Sequence, residues 1–153
     1  MAMTMQGEVA LPADRATVWA ALNNPDVLKA AIPGCQDLEK ISDTEFQATA
    51  KVSVGPVKAT FKGGVTLADL DPPNGYKISG EGQGGVAGWA KGGARVRLED
   101  IEGGTKMIYD VEANVGGKIA QLGGRLINGV AKKYADEFFA NFAKILSPAE
   151  TAA

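Results

Sequence analysis

Histidine is absent from this 153-residue sequence, and cysteine occurs once, at Cys35. Without histidine, the chain can build no histidine-containing catalytic triad, no histidine metal site and no imidazole proton shuttle. A lone cysteine forms neither an internal disulfide nor a thiolate zinc site. Any general acid or base would therefore have to be Asp, Glu, Lys or Tyr.

Long apolar runs and an excess of positive charge are also missing. No apolar stretch approaches the roughly 18 residues of a transmembrane helix, and residues 1–6 lack the charged and apolar regions of a signal peptide. The formal net charge is −2, which is not the electrostatic footprint of a nucleic-acid-binding protein. We expect a cytoplasmic protein with no nucleic-acid partner, and leave open a peripheral contact at the inner face of the membrane.

Alternation with period two runs from about Glu45 to Val115. Polar and charged side chains on one face of each strand alternate with apolar or small residues, which is typical of an antiparallel sheet with one covered face. Many covered positions hold small residues: Ala48, Ala50, Gly63, Gly80, Gly82, Ala90, Gly92, Ala94 and Ala113. Because protein interiors are close-packed, either another element approaches very closely here or the space is a cavity for an apolar ligand.

Helix signals surround this sheet region. A first strand, Thr4–Ala10, precedes a helix that Asp14 caps, and Asn24 followed by proline marks the start of a second short helix. After Gly117 the period changes to 3.6, which predicts a continuous helix of about 29 residues. Its apolar stripe is Ile119, Leu122, Leu126, Val130, Tyr134, Phe138, Phe142 and Ile145.

This order of elements predicts an α+β fold. A curved antiparallel sheet of about seven strands wraps around the long C-terminal helix, and two short helices close one end. We expect one domain over residues 1–147 and a short flexible tail over 148–153. The cavity would lie between the sheet and the long helix.

Glycines recur at two places where either a functional or a structural role is conceivable. Gly80, Gly82 and Gly85 match a G-x-G-x-x-G pattern, but this one leads into a strand, whereas a dinucleotide site needs a helix N-terminus. We expect these glycines to permit a bent hairpin or a close approach of the backbone to the helix, or to make room in the cavity. In the long helix, Gly123, Gly124 and Gly129 indicate either tight packing on the sheet or a helix thinned over the cavity, which would admit a ligand.

Candidate ligand-binding residues come from the inner strand faces, the helix stripe and one hairpin end. They are Phe61, Trp89, Ala94, Met107, Tyr109, Ala113, Leu122, Leu126, Val130 and Tyr134. Trp89 is either a buried packing residue or a residue at the mouth of the cavity that stacks on a flat ligand ring. The hydroxyls of Tyr109 and Tyr134 need a partner, which could be a backbone group, water or a bound carbonyl. No pair of inward carboxylates is seen, so we predict no catalytic residue and no metal site.

Several segments together resemble one known family. They are Asn24–Leu28, Ile32–Cys35, Val54–Ala59, Gly80–Ala90 and Gly116–Gly123. They are similar to the CoxG family of carbon monoxide dehydrogenase accessory proteins, which belongs to the START-like (SRPBCC) superfamily of lipid-transfer proteins and polyketide cyclases. The resemblance covers nearly the whole chain and implies the helix-grip fold.

The resemblance also implies a function. Family members are accessory proteins that accompany a molybdenum-containing carbon monoxide dehydrogenase or a related hydroxylase, and that link it to the membrane or to the quinone pool. It implies no resident cofactor, and a quinone or lipid as the hydrophobic ligand. Two alternatives stay open: an adaptor without a ligand, and a small polyketide-cyclase-like enzyme.

Overall fold

A single antiparallel sheet of seven strands dominates residues 2–146, the part of the chain that the computed structural model describes. The strands are β1 (Ala2–Leu11), β2 (Cys35–Ser42), β3 (Glu45–Val54), β4 (Val57–Asp71), β5 (Gly75–Gln83), β6 (Trp89–Ile101) and β7 (Gly104–Gly116). Their order across the sheet is β1-β7-β6-β5-β4-β3-β2. The expected α+β helix-grip architecture is confirmed, while the predicted tail, 148–153, lies outside the described residues.

Two short helices follow β1, as the capping signals predict. Helix α1 (Arg15–Leu22) begins after Asp14, whose carboxylate accepts a hydrogen bond from the Thr17 amide at 2.8 Å. Helix α2 (Pro25–Ala31) begins after Asn24, whose side-chain oxygen accepts from the Asp26 amide. Each cap satisfies an amide that has no partner within its helix.

The C-terminal helical region differs from the prediction. Instead of one continuous helix there is a 3₁₀ helix, Lys118–Leu122, followed by α3, Gly124–Leu146. The break lies at Gly123, where φ is +94°, a conformation that residues with a Cβ rarely adopt. This break changes the phase of the apolar stripe, so that Ile127 is buried while Leu126 is 37% exposed.

Buried apolar side chains form two separate clusters within the described residues. The larger one, the main core, joins α1, α2 and the end of α3 to one end of the sheet. Phe142 is fully buried there, and the Asn141 side chain donates a hydrogen bond to the Ala31 carbonyl, which ties α3 to α2. The smaller one, the end cluster, consists of Val54, Ala87, Val115, Ile119 and Ile127 at the other end of the sheet.

Candidate functional site: an apolar hollow on the sheet

Between the main core and the end cluster, the inner face of the sheet is hollow. Along β6, Ala90 packs against the end cluster at the edge of the hollow, Ala94 lies in the hollow, and Val96 and Leu98 belong to the main core. Strand β7 repeats this order, because Ala113 lies between Val115 and the main-core residues. The hollow has a volume of about 410 Å³ and an almost entirely apolar lining. Its size falls within the range of small-molecule sites.

Strand register is what brings the small residues together. One row across four neighbouring strands consists of Ala48, Gly63, Gly82 and Ala90, each paired with the next. A second row consists of Val65, Gly80, Gly92 and Ala113. Because these rows are adjacent, the missing side-chain volume of several strands adds up to one continuous space.

Two of these glycines also allow neighbouring backbones to approach closely. A Cβ placed on Gly63 would collide with the Glu81 carbonyl oxygen, and one on Gly92 would collide with that of Glu112. At Gly82, by contrast, the nearest atom would be 3.7 Å away, an ordinary contact. The close approach at Gly63 and Gly92 is to a neighbouring strand of the same sheet and not to a helix packed on its face, whereas Gly82 leaves room in the hollow.

Helix α3 crosses the inner face of the sheet, but the residues that line the hollow all belong to strands, so the helix does not form the second wall that the sequence predicted. The Tyr134 hydroxyl accepts a hydrogen bond from the Ser53 amide at 3.0 Å and lies 3.4 Å from the Ser53 carbonyl oxygen. One turn further on, Phe139 stacks on Tyr109 of β7, with ring centroids 4.9 Å apart. The helix is thus attached to β3 on one side and to β7 on the other, and the strands between them form the floor of the hollow.

The predicted ligand-binding residues divide between the hollow and other places. Phe61, Ala94 and Ala113 line the hollow. Tyr109 lines a neighbouring depression between β1 and α3, and the Tyr134 hydroxyl is engaged by the β3 backbone. The Tyr134 hydroxyl therefore has the backbone partner that the sequence analysis allowed, and Tyr109 lies outside the lining of the hollow.

Other predicted residues lie away from the hollow. Met107 is buried in the main core. Trp89 is 40% exposed on the opposite, outer face of the sheet, where its indole lies over Gly116. This correction follows from strand parity, since Ala90 points inward and its neighbour must point outward.

The predicted ligand-binding residues around the start of α3 also lie away from the hollow. Leu122 and Val130 pack only partly against the end cluster, and together with exposed Leu126 they line a shallow depression on the outside of the molecule. The tight-packing interpretation of Gly123 and Gly129 is wrong, because a Cβ at either position would meet nothing within 4 Å.

Sequence reasoning did not choose several residues that line the hollow: Ala48, Ala50, Val65, Ile78, Gly80, Gly82 and Gly92. The period-two pattern had placed them on the inner face, so a signal for them existed. Distinguishing them from inward residues of the main core required the strand register, which the sequence pattern does not contain.

The chemistry available in the hollow is that of apolar contact. Among the described residues, the inward-facing ones that line it include no ionisable side chain. Within residues 2–146, no group of three or more His, Cys, Asp or Glu side chains is arranged to hold a metal ion. The G-x-G-x-x-G segment leads through a three-residue 3₁₀ helix, Gly85–Ala87, into β6, as the strand interpretation predicts.

Comparison with known proteins settles the family. The profile of the carbon monoxide dehydrogenase CoxG family matches residues 7–147. The chain belongs to the CoxG family. No match was found among curated proteins.

Solved structures support the same fold. A conserved protein from Geobacillus kaustophilus is 29% identical, with a TM-score of 0.86 over 94% of this chain and 95% of that one. Ara h 8.0201 is 19% identical (TM-score 0.64; 95% and 99% covered). The Zhui aromatase/cyclase from Streptomyces sp. R1128 is 14% identical (TM-score 0.65; 95% and 94% covered). At such low identity, the last two show the fold alone.

CoxG proteins are accessory subunits of carbon monoxide dehydrogenase. In the part of the chain that the structure describes, no helix has both the length and the hydropathy needed to cross a bilayer.

Proposed function

We propose that this protein holds one apolar molecule, a quinone or a similar lipid-like compound, in the hollow. It would serve a molybdenum hydroxylase of the carbon monoxide dehydrogenase type as a non-catalytic partner. The observation that carries the proposal is the alignment of small residues in two adjacent rows between two well-packed clusters. An unfilled apolar space of this size loses packing contacts, and a bound apolar molecule would restore them.

The lining supports a ligand held by burial rather than by hydrogen bonds. Apolar surface removed from water contributes about 25 cal/mol per Å² before the costs of binding are subtracted. Because the inward residues are uncharged, shape would select the ligand more than polar recognition would. The same lining disfavours the cyclase-like alternative, since proton transfer requires a positioned acid or base.

The dehydrogenase link is inferred from family membership. A carrier of a redox-active lipid connects an enzyme in the aqueous phase with a pool dissolved in the membrane. The link to the membrane or to the quinone pool is part of this proposal.

Native mass spectrometry of protein purified from a quinone-containing host tests the carrier function. We expect an apolar molecule at close to one-to-one occupancy. The substitutions Ala94→Trp and Ala113→Trp should abolish occupancy by filling the hollow, whereas Ile41→Trp, at an exposed position on β2, should leave it unchanged. Thermal unfolding reports whether each variant folds, and Ala94→Leu replaces any Trp variant that does not.

Two results would contradict the carrier function. One is a clean apo mass after incubation with quinones and lipids, and the other is unchanged occupancy in the inward variants. The ligand-free adaptor would be favoured if the dehydrogenase still binds variants in which the hollow is filled. It would also require that binding is lost when the charges of Arg95 and Arg97, on the outer sheet face, are reversed.

A further inference from the structure

The two edges of the sheet differ in how they are protected. Strand β1 lies at one edge and β2 at the other. An edge strand leaves backbone N–H and C=O groups without a strand partner, which makes it a template for pairing with another chain. Natural sheets block such edges with bulges, charged side chains or a covering element.

Strand β2 carries these protections. Its pairing with β3 shifts twice, between Cys35 and Asp37 and between Lys40 and Ser42. Charged side chains occupy three of its eight positions, Asp37, Glu39 and Lys40. Helix α2 packs next to this strand. A second chain would therefore meet an irregular and charged edge here.

Strand β1 lacks these protections. Its ten residues, Ala2–Leu11, pair with β7 without a shift, and they include no proline and a single charged side chain, Glu8. Beyond that pairing, no backbone hydrogen bond joins these ten residues to another element within residues 2–146. A depression of about 280 Å³ lies between residues 3–6 and Asn128 and Lys132 of α3, so the helix leaves this stretch of the edge uncovered.

We propose that β1 pairs with β1 of a second copy of this chain, antiparallel and about a two-fold axis, so that the two sheets become one. Every second residue of β1 directs its N–H and C=O groups away from β7, and an antiparallel partner strand supplies acceptors and donors for them. Both copies use the same surface, so the pairing closes on itself. Because β2 is protected, association stops at the dimer.

The outer face of β1 is self-complementary in one register. With the two-fold axis at Gln6, this side chain lies opposite its own copy, and Thr4 lies opposite Glu8 of the second copy. The threonine hydroxyl can donate a hydrogen bond to that carboxylate. The two copies of Glu8 do not face each other, so no like charges are opposed.

The inner face of β1 is compatible with the same register. Met5 lies opposite Gly7 of the second copy, and Met3 lies opposite Val9, so only apolar side chains and glycine meet there. The Tyr109 ring extends over Gly7, where the methionine of the second copy would contact it. Both faces of the strand thus favour one pairing. The dimer is independent of the carrier function, since no residue of β1 lines the hollow.

Sedimentation equilibrium over a range of protein concentrations tests the dimer. We expect a reversible equilibrium between monomer and dimer, with no larger species. Thr4→Glu opposes like charges twice in each dimer and should weaken association by about tenfold. Adding Glu8→Gln removes that repulsion and restores the net charge of the chain, so association should return to near the wild-type value. Gln36→Glu, the matched control, makes the same charge change at an exposed position on β2 and should leave association unchanged.

Disulfide trapping provides a measurement that does not depend on these charges. In a Cys35→Ser background, Gln6→Cys should form a covalent dimer under mild oxidation, because the two copies of this residue lie directly opposite each other. Glu39→Cys, at an exposed position on the other edge strand, should stay monomeric in the same background.

The proposal is overturned if the wild-type protein stays monomeric at every concentration, or if Thr4→Glu and Gln36→Glu weaken association equally. Failure of Glu8→Gln to restore association would overturn the register, and so would trapping of Glu39→Cys as readily as Gln6→Cys. Thermal unfolding verifies that each variant folds, and the trapping experiment decides if Thr4→Glu does not. Ligand occupancy is measured separately by mass spectrometry, so the dimer and the carrier function can fail independently.

Discussion

A buried tyrosine side chain illustrates how a single residue responds to its surroundings. Tyr76 on β5 lies in the main core, with its ring edge-on to Trp19 and the two centroids 5.2 Å apart. Burial disfavours the charged phenolate, so the pKa of Tyr76 is raised well above its ordinary value of 10.0. The folded state thus keeps the proton under alkaline conditions in which the unfolded chain loses it.

This difference predicts a pH dependence of stability. As pH rises above about 10, the unfolded state alone ionises Tyr76, and the free energy of unfolding falls by up to about 1.4 kcal/mol per pH unit. Below that pH the contribution of the neutral hydroxyl is fully present. In Tyr76→Phe this alkaline loss should disappear, which urea unfolding at neutral and alkaline pH would measure. Equal alkaline slopes in the two proteins would contradict the assignment.

Among the elements, the long central strand β4 shows why glycine is required in the middle of a sheet. Its pairing with β3 continues without a shift through Gly63 and Gly64, so these residues form no bulge. A side chain at Gly63 would collide with the backbone of β5, whereas a Cβ on Gly82, its partner on that strand, would make only ordinary contacts. Two glycines in one cross-strand pair therefore serve different purposes.

Alanine substitutions separate these two purposes. Gly63→Ala should destabilise the protein by about 2 kcal/mol, because the backbone of β5 must move. Gly82→Ala, the matched control, should cost less than about 1 kcal/mol, since its methyl group enters the hollow at ordinary contact distance. Chemical denaturation measures both values. Similar losses of stability in the two variants would refute the close approach at Gly63.

At the scale of the whole molecule, packing is unequal at the two ends of the hollow. Thirteen buried residues form the main core and five form the end cluster, among residues 2–146. Glycines flank both 3₁₀ helices that cover the end cluster, including Gly88 and Gly117, whose φ angles are positive. Fewer buried contacts and freer backbone make this end the easier one to open.

Hydrogen exchange should reveal this difference. Amides of the second 3₁₀ helix, Lys118–Leu122, and of the first turns of α3 should exchange faster than those around Phe142, which is fully buried in the main core. A bound apolar ligand should slow exchange at the end cluster more than in the main core. Uniform protection along α3 would contradict an opening at this end.

Much of this architecture follows from local signals. The caps at Asp14 and Asn24, the alternation of strand faces and the motifs of the CoxG family were all readable in the sequence, because each depends on residues close together in the chain. Inward residues such as Ala94 and Ala113 were predicted correctly for the same reason.

The remaining features depend on residues distant in sequence. Periodicity shows which face a residue occupies but not which residue it pairs with. The alignment of Gly63 with Gly82 and Ala90, the engagement of Tyr134 by the β3 backbone and the surface position of Leu126 were therefore decided by tertiary structure. By itself, the sequence determined a sheet with small inward residues. Long-range pairing decided that their missing volume forms one hollow.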